Sequence, residues 1–276
     1  WRVREALIQA FNFDYINLTL NGGTEPQITS YFSNSVLGME EGPAAGRVAE
    51  FLAPFEADLL PGAMDGYALP SGEEAPANRA GIRSAMQLFE EAGYVVQDGV
   101  MTGPDGAPFT FEILLQQGST ENQSVVNIYV EALERLGITP TIATIDSAQY
   151  RERTDAFDFD MTYFRRGVSL SPGNEQRLYW GCEMAETLGS RNLMGACHPA
   201  IEAMIDRMLT SESQDDYVAA VRAMDRVLMS ERYVIPFWYS QISRLAHNAE
   251  LRYPETLPIY GDWIGWQPDV WWVEPE

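Results

Sequence analysis

The chain has 276 residues, 46% of them apolar, which suits one large core or two modest ones and excludes a disordered segment. Eighteen basic against forty acidic residues give a net charge of −22. That excludes nucleic acid and an anionic membrane surface as partners, because phosphate binding needs a basic face.

Val3, Ala6, Leu7, Ala10 and Phe11 recur at helical spacing and predict an amphipathic helix over residues 1–13. Trp1 opens it without a cap, as the inside of a longer helix would, so the sequence reads as a piece of a longer chain. Asp14 is the expected cap of a second short helix, stopped by Gly22-Gly23. Residues 24–78 show no period. Pro26, Pro43, Pro54, Pro61, Pro70 and Pro76 predict a long ordered loop with one short helix near 47–52. Asn78 is the expected cap of a helix over 79–92. Residues 94–101 and 109–116 read as a hairpin joined by the Gly103-Pro104-Asp105-Gly106 turn.

A helix over 121–136 then ends at Gly137, a strand covers 138–145, and Asp146 caps a helix over 147–155. After an irregular region, 181–197, Pro199 opens a helix that buries Ile201, Met204, Ile205 and Met208. Residues 214–230 form another. Two closing strands are expected over 233–240 and 242–246. The tail from Asn248 carries Trp263, Trp266, Trp271 and Trp272. Helices and strands alternate throughout, which gives an α/β fold with a mixed sheet flanked by helices.

The segment 158–180 organises the rest. It opens as a strand through Phe159, Met161 and Tyr163, then enters a Ser/Pro/Gly/Asn-rich turn that cannot continue a strand. Arg165 and Arg166 stand at the strand's end. A strand end followed by a small-residue loop carrying charge is where α/β folds place a ligand; the plainer alternative is a surface loop with solvated arginines. Catalytic signatures are scarce. All eighteen basic residues are arginine, which removes Schiff-base and phosphate-loop lysine chemistry. Neither His198 nor His247 sits in a His-Glu-x-x-His pattern, and there is no Gly-x-Ser-x-Gly. No resident cofactor or metal is expected. Asp158 and Asp160 share a strand face and leave one enzymatic alternative open, a carboxylate-dependent hydrolase; a calcium site there would need more ligands.

Several spaced motifs carry a family resemblance. Arg2-Val3-Arg4-Glu5-Ala6-Leu7, Ala85-Met86-Gln87-Leu88-Phe89 through Tyr94, Leu136-Gly137-Ile138 and Asp146-Ser147-Ala148-Gln149-Tyr150 resemble the C-terminal lobe of family 5 extracellular solute-binding proteins. Ser169-Leu170-Ser171-Pro172-Gly173-Asn174-Glu175-Gln176 and Gly189-Ser190-Arg191-Asn192-Leu193 are similar to the Yej-type branch, which binds oligopeptides and microcin C. The resemblance implies a class II periplasmic-binding-protein-like lobe that closes on a peptide in the periplasm of a Gram-negative cell. Its partners would be an inner-membrane ABC permease and the protein's own N-terminal lobe. Residues 1–248 would be the C-terminal lobe, and 249–276 a tail crossing toward an N-terminal lobe absent from this chain.

The resemblance also implies site residues: Tyr163, Arg165, Arg166, Ser169, Ser171, Asn174 and Glu175. Many relatives carry Trp-x-Ala-Asp-Tyr-Pro-Asp-Pro after the central strand, where the first Asp holds the peptide's amino terminus. Here that Asp falls at about Ser169, a neutral group that cannot supply a charge-assisted bond, so Asp160 or Glu175 is a candidate to replace it. Arg165 and Arg166 suit a ligand carboxylate or phosphate, or pair with the surplus acids. Cys182 and Cys197 are the only cysteines. In the oxidising compartment that the resemblance implies they are expected to form a disulfide closing the irregular loop; free thiols and a Cys/His metal site with His198 are the alternatives.

Overall fold

The computed structural model describes residues 1–167, 169–242, 245–258 and 270–274. The first two helices are α1 (Arg2–Ala10) and α2 (Phe13–Asn21). The cap of α2 is Asn12, not Asp14: Asn12 Oδ1 accepts from Tyr15 N, and Asp14 already lies within the first turn. Gly22, left-handed, ends the helix as expected. The short helix within 24–78 is α3 (Gly46–Leu52), continued by a 3-10 turn over Ala53–Phe55. α4 (Arg79–Glu91) begins after Asn78, but the Asn78 side chain does not cap it. Its amide donates instead to the Gln9 carbonyl at 3.0 Å and ties α4 to the end of α1.

The expected hairpin is displaced. β1 (Val95–Gln97) pairs antiparallel with β2 (Val100–Thr102) around Asp98-Gly99, both at positive φ, the backbone a two-residue turn requires. The Gly103–Gly106 turn does form, but beyond it only Thr102 bridges Pro108. β3 (Glu112–Gln116) leaves the hairpin and becomes the centre of a second sheet. There it lies between β4 (Thr141–Ile145) and β5 (Met161–Thr162), all three parallel, with Leu114 opposite Ala143 on one side and Thr162 on the other. α5 (Thr120–Glu134) joins β3 to β4, and α6 (Ser147–Asp155) joins β4 to β5. Asp146 caps α6 as predicted, its Oδ1 accepting from Ala148 N and Gln149 N. The α/β class is as expected. The central sheet is parallel throughout; among the described residues, antiparallel pairing occurs in two ribbons, β1–β2 and β6 (Leu251–Arg252) with β7 (Trp272–Val273), and in two isolated bridges.

The remaining helices are α7 (Gln176–Trp180), α8 (Cys182–Ala185), α9 (Pro199–Leu209) and α10 (Gln214–Glu231). The apolar stripes of α9 and α10 meet through Ile201, Met204, Ile205, Ala220, Met224 and Val227, all buried. A separate core forms where α1, α4 and α5 converge on Phe89, Tyr129 and Leu133. Neither closing strand appears among the described residues. Across 233–240 the only pairing is a bridge from Trp238 to Gln27, and Pro236 in mid-run removes a ladder donor. In the second run Ile242, Leu245 and Ala246 are not in a strand, and residues 243–244 lie outside the described residues. Trp263 and Trp266 of the tail lie outside them too. Trp271 packs on Tyr253 and His247, with ring centroids 4.9 and 5.0 Å away, while Trp272 is exposed.

The long loop 24–78 stays ordered because charges on α10 bind its backbone. Asp225, fully buried, accepts from Ser30 Oγ at 2.6 Å and from Tyr31 N and Met39 N at 2.8 Å. Arg226 donates to the carbonyls of Ala63, Glu40 and Gly42 at 2.7–2.9 Å. Arg232 completes the clamp, bonding Glu5 at 2.5 Å and the Pro61 carbonyl at 3.0 Å. Those backbone groups would otherwise be unsatisfied beneath a loop with no ladder of its own.

Gly137, between α5 and β4, sits at φ +75° with room for no side chain. A Cβ there would stand 2.7 Å from the Gly99 carbonyl oxygen and 2.9 Å from Met101 N. Gly137→Ala is therefore expected to cost about 2 kcal/mol or more in urea denaturation, from a left-handed backbone and a clash with backbone atoms that cannot rotate away. A variant as stable as the wild type would show that the hairpin can shift to admit it.

Candidate functional site

The three parallel strands all end at one edge of the sheet, at Gln116, Ile145 and Thr162. The longest segment leaving that edge is the stretch from Tyr163 to Glu175, and this is where a parallel sheet offers a crevice. Its root is fixed by Tyr150 of α6, whose hydroxyl lies 2.8 Å from Thr162 Oγ1 and 3.0 Å from the Tyr163 carbonyl. Its far end is fixed by Tyr217 of α10, which donates to the Pro172 carbonyl at 2.7 Å.

The sequence-predicted residues fall into three groups. Tyr163 is half-buried against Phe237, and burial raises its pKa. Ser169 and Ser171 are exposed neighbours: Ser169 Oγ accepts from Ser171 N at 3.1 Å and lies 3.3 Å from Ser171 Oγ. Asn174 is exposed. Arg165 is exposed and makes no ion pair among the described residues.

Arg166 and Glu175 are linked through a residue that the sequence reading passed over. Arg166 Nη2 donates to Gln176 Oε1 at 3.0 Å, and Gln176 Nε2 donates to Glu175 Oε1 at 2.9 Å. Trp180 Nε1 also donates to Gln176 Oε1, so this buried amide orders both side chains. Partial burial opposes ionisation of Glu175, yet the Gly173 amide, the Gln176 side chain and the nearby Arg166 charge hold its carboxyl below the usual value. The Arg166 guanidinium lies over Tyr179, 3.6 Å from the ring centroid, and near Trp180 at 4.8 Å. Burial pushes it down to about 10, which leaves it cationic at neutral pH. Gln176, Tyr179 and Trp180 lie at i, i+3 and i+4, so one face of a short helix presents all three; that spacing was visible in the sequence.

Asp160 does not take the place of the missing Asp. Its Oδ2 accepts from Glu112 N at 2.8 Å, at the opposite edge of the sheet from the loop. Asp158 pairs with Arg153 at 2.7 Å, and Arg153 also holds Glu112. Both carboxylates thus serve the start of β3 and β5. Both are engaged by these structural partners, and no cluster of metal-binding side chains occurs among the described residues. Cys182 and Cys197 are bonded, with sulfurs 2.10 Å apart. The bridge joins the start of α8 to the residue before His198, which caps α9 through Nδ1.

The fold, a parallel sheet flanked by helices with its polar loop at the carboxyl edge, is periplasmic-binding-protein-like. Residues 1–183 match the family described as bacterial extracellular solute-binding proteins, family 5 Middle. The chain belongs to this family. An Agrobacterium fabrum protein named "Probable peptide-binding protein YejA" is 37% identical over 273 residues, 98% of this chain and 44% of its own length. A second protein of that organism, named peptidoglycan-binding protein YepA, is 33% identical over 98% of this chain and 43% of its own length. Among solved structures, the oligopeptide-binding protein AppA of Bacillus subtilis, in complex with a nonapeptide, superposes with a TM-score of 0.71 at 15% identity. That match covers 99% of this chain and 47% of AppA. The chain spans less than half the length of these relatives.

Proposed function

We propose that the whole protein is the periplasmic solute-binding component of an ABC importer and binds oligopeptides or peptide-like compounds. The observation that carries this is the 37% identity, across 98% of the chain, to a protein named for peptide binding. The YepA name points the same way, since peptidoglycan contains peptide. In this reading residues 1–248 form the C-terminal lobe and 249–276 cross toward an N-terminal lobe outside this sequence. The loop after β5 faces the cleft between them. The protein is not an enzyme; it delivers its ligand to an inner-membrane permease.

Ser169 offers a neutral hydrogen bond at the position where the family resemblance implies an acid, so a free ligand amine gains no ion pair there. Native mass spectrometry of the full-length protein, purified from its own cell and presented with a peptide digest, tests the function. A mass increment released on denaturation, with the fragmentation pattern of a peptide, is expected. A protein that stays unliganded with the digest in excess would overturn the proposal.

A further inference from the structure

We propose that Arg166, Tyr179 and Arg191 form a subsite for an anionic oxygen group of the ligand, a carboxylate or a phosphate. This rests on the binding reading above and names the ligand chemistry it selects.

Two arginines from different segments converge on one tyrosine. Arg166 lies over the Tyr179 ring, and Arg191 donates from Nη1 to the Tyr179 hydroxyl at 3.0 Å, with its guanidinium 5.7 Å from the ring centroid. Acids outnumber bases by forty to eighteen in this chain, and some arginines, such as Arg153, Arg177 and Arg232, are paired with carboxylates, while others, such as Arg135 and Arg226, bond backbone carbonyls instead. Neither Arg166 nor Arg191 has an ion pair among the described residues. Glu175, which acts on Arg166 from a distance, is already bonded to Gly173 N and Gln176.

Arg166 is also incompletely satisfied. Its Nη2 has Gln176, but its Nε is buried with no partner among the described residues. A desolvated cation with a spare donor, held in place by an aromatic face and an amide, gains most from an anion supplied from outside. Arg191 is exposed and reaches the same ring from the loop that the Cys182–Cys197 bridge closes. The next residue fixes its position: Asn192, fully buried, donates to the carbonyls of Gly181 and Ala196 and accepts from Ala196 N. The planar guanidinium forks at Arg166 and Arg191 suit bidentate contact with an anionic oxygen group, and the shared Tyr179 ring brings the two together.

The test presents full-length protein with an equimolar peptide library. Each Glu peptide is matched by its Gln isostere and each phosphoserine peptide by its serine form, and the retained peptides are sequenced by mass spectrometry. Wild type should retain the acidic member of a pair about tenfold over the neutral one, the order expected for a charged hydrogen bond. The stronger of the two acidic enrichments identifies the group as carboxylate or phosphate. Arg191→Gln, a surface change, should cut the preference severalfold, and Arg166→Gln should abolish it. Equal retention of acidic and neutral members by wild type overturns the subsite and leaves the peptide-binding function standing. So does a preference unchanged in both variants. Retention of no peptide at all overturns the function and the subsite together.

Discussion

Replacing Asp225 with Ala is expected to destabilise the protein by about 3–5 kcal/mol, the range for breaking a buried, hydrogen-bonded charge site. Three donors converge on this carboxylate: Ser30 Oγ, Tyr31 N and Met39 N. In the variant they face a cavity with no acceptor, and each unmet donor carries its own desolvation cost. The loss should appear in urea as a lower midpoint. The slope should change little, because the loop is weakened without unfolding beforehand. A loss below about 1 kcal/mol would mean that Arg226 and Arg232 hold the 24–78 loop without Asp225. The pH dependence gives a second reading. Burial pushes the Asp225 carboxyl from 3.8 up to about 6, against the hydrogen bonds and the Arg226 charge that favour ionisation. The folded state therefore binds this proton more readily than the unfolded chain. That contribution to stability is full below about pH 4 and is lost as pH rises through about 6. Alanine has nothing to titrate, so the gap between wild type and variant should widen as pH is lowered from neutral to about 5. A gap that narrows would show Arg226 holding the group ionised.

The same residues show what the sequence left hidden. The helices were legible because apolar residues at 3.6-residue spacing and terminal glycines are local signals; α9 opens at Pro199 as expected, and α10 lies within a residue of its expected bounds. Strands were less legible. The run from Tyr94 could turn at Asp98-Gly99 or at Gly103–Gly106, and the choice depends on β3 finding two parallel partners far along the chain. The strand expected through Phe159, Met161 and Tyr163 shrank to two residues because Phe157 takes a positive φ and the acids of its first half bind Arg153 and Glu112 N. Asp225 and Arg226 are adjacent charges on a helix, a pattern that usually faces water. Only the three-dimensional path of a proline-rich loop turns them into a clamp. Within the candidate site, Arg166 and Glu175 were visible as charges beside a turn. Arg191 was not, since nothing in the spacing of residues 166 and 191 says that one tyrosine receives both.

Loss of the bridge between Cys182 and Cys197 is the second large effect expected. The cysteines are 15 residues apart, and closing such a loop restricts the unfolded chain by about 3 kcal/mol in the chain-entropy account. The folded loop has little core of its own: Met184, Ala185 and Leu193 are only partly buried and Leu188 is exposed, so the hydrogen bonds of Asn192 are its main other support. A reductant should therefore lower the unfolding midpoint of the wild type. It should leave that of the Cys182→Ala/Cys197→Ala variant unchanged, with the two coinciding once reduced. The native loop is expected to persist at low denaturant, because Asn192 still joins Gly181 to Ala196, and to fray first on heating. Fraying would free Arg191 from Tyr179 while Arg166 stays on its ring, so binding of acidic ligands should weaken before the fold is lost. Thiol labelling of non-reduced, denatured protein from its own cell decides whether the bridge forms there. Two labelled thiols per chain would remove both the 3 kcal/mol of the chain-entropy account and the coupling of redox state to ligand preference.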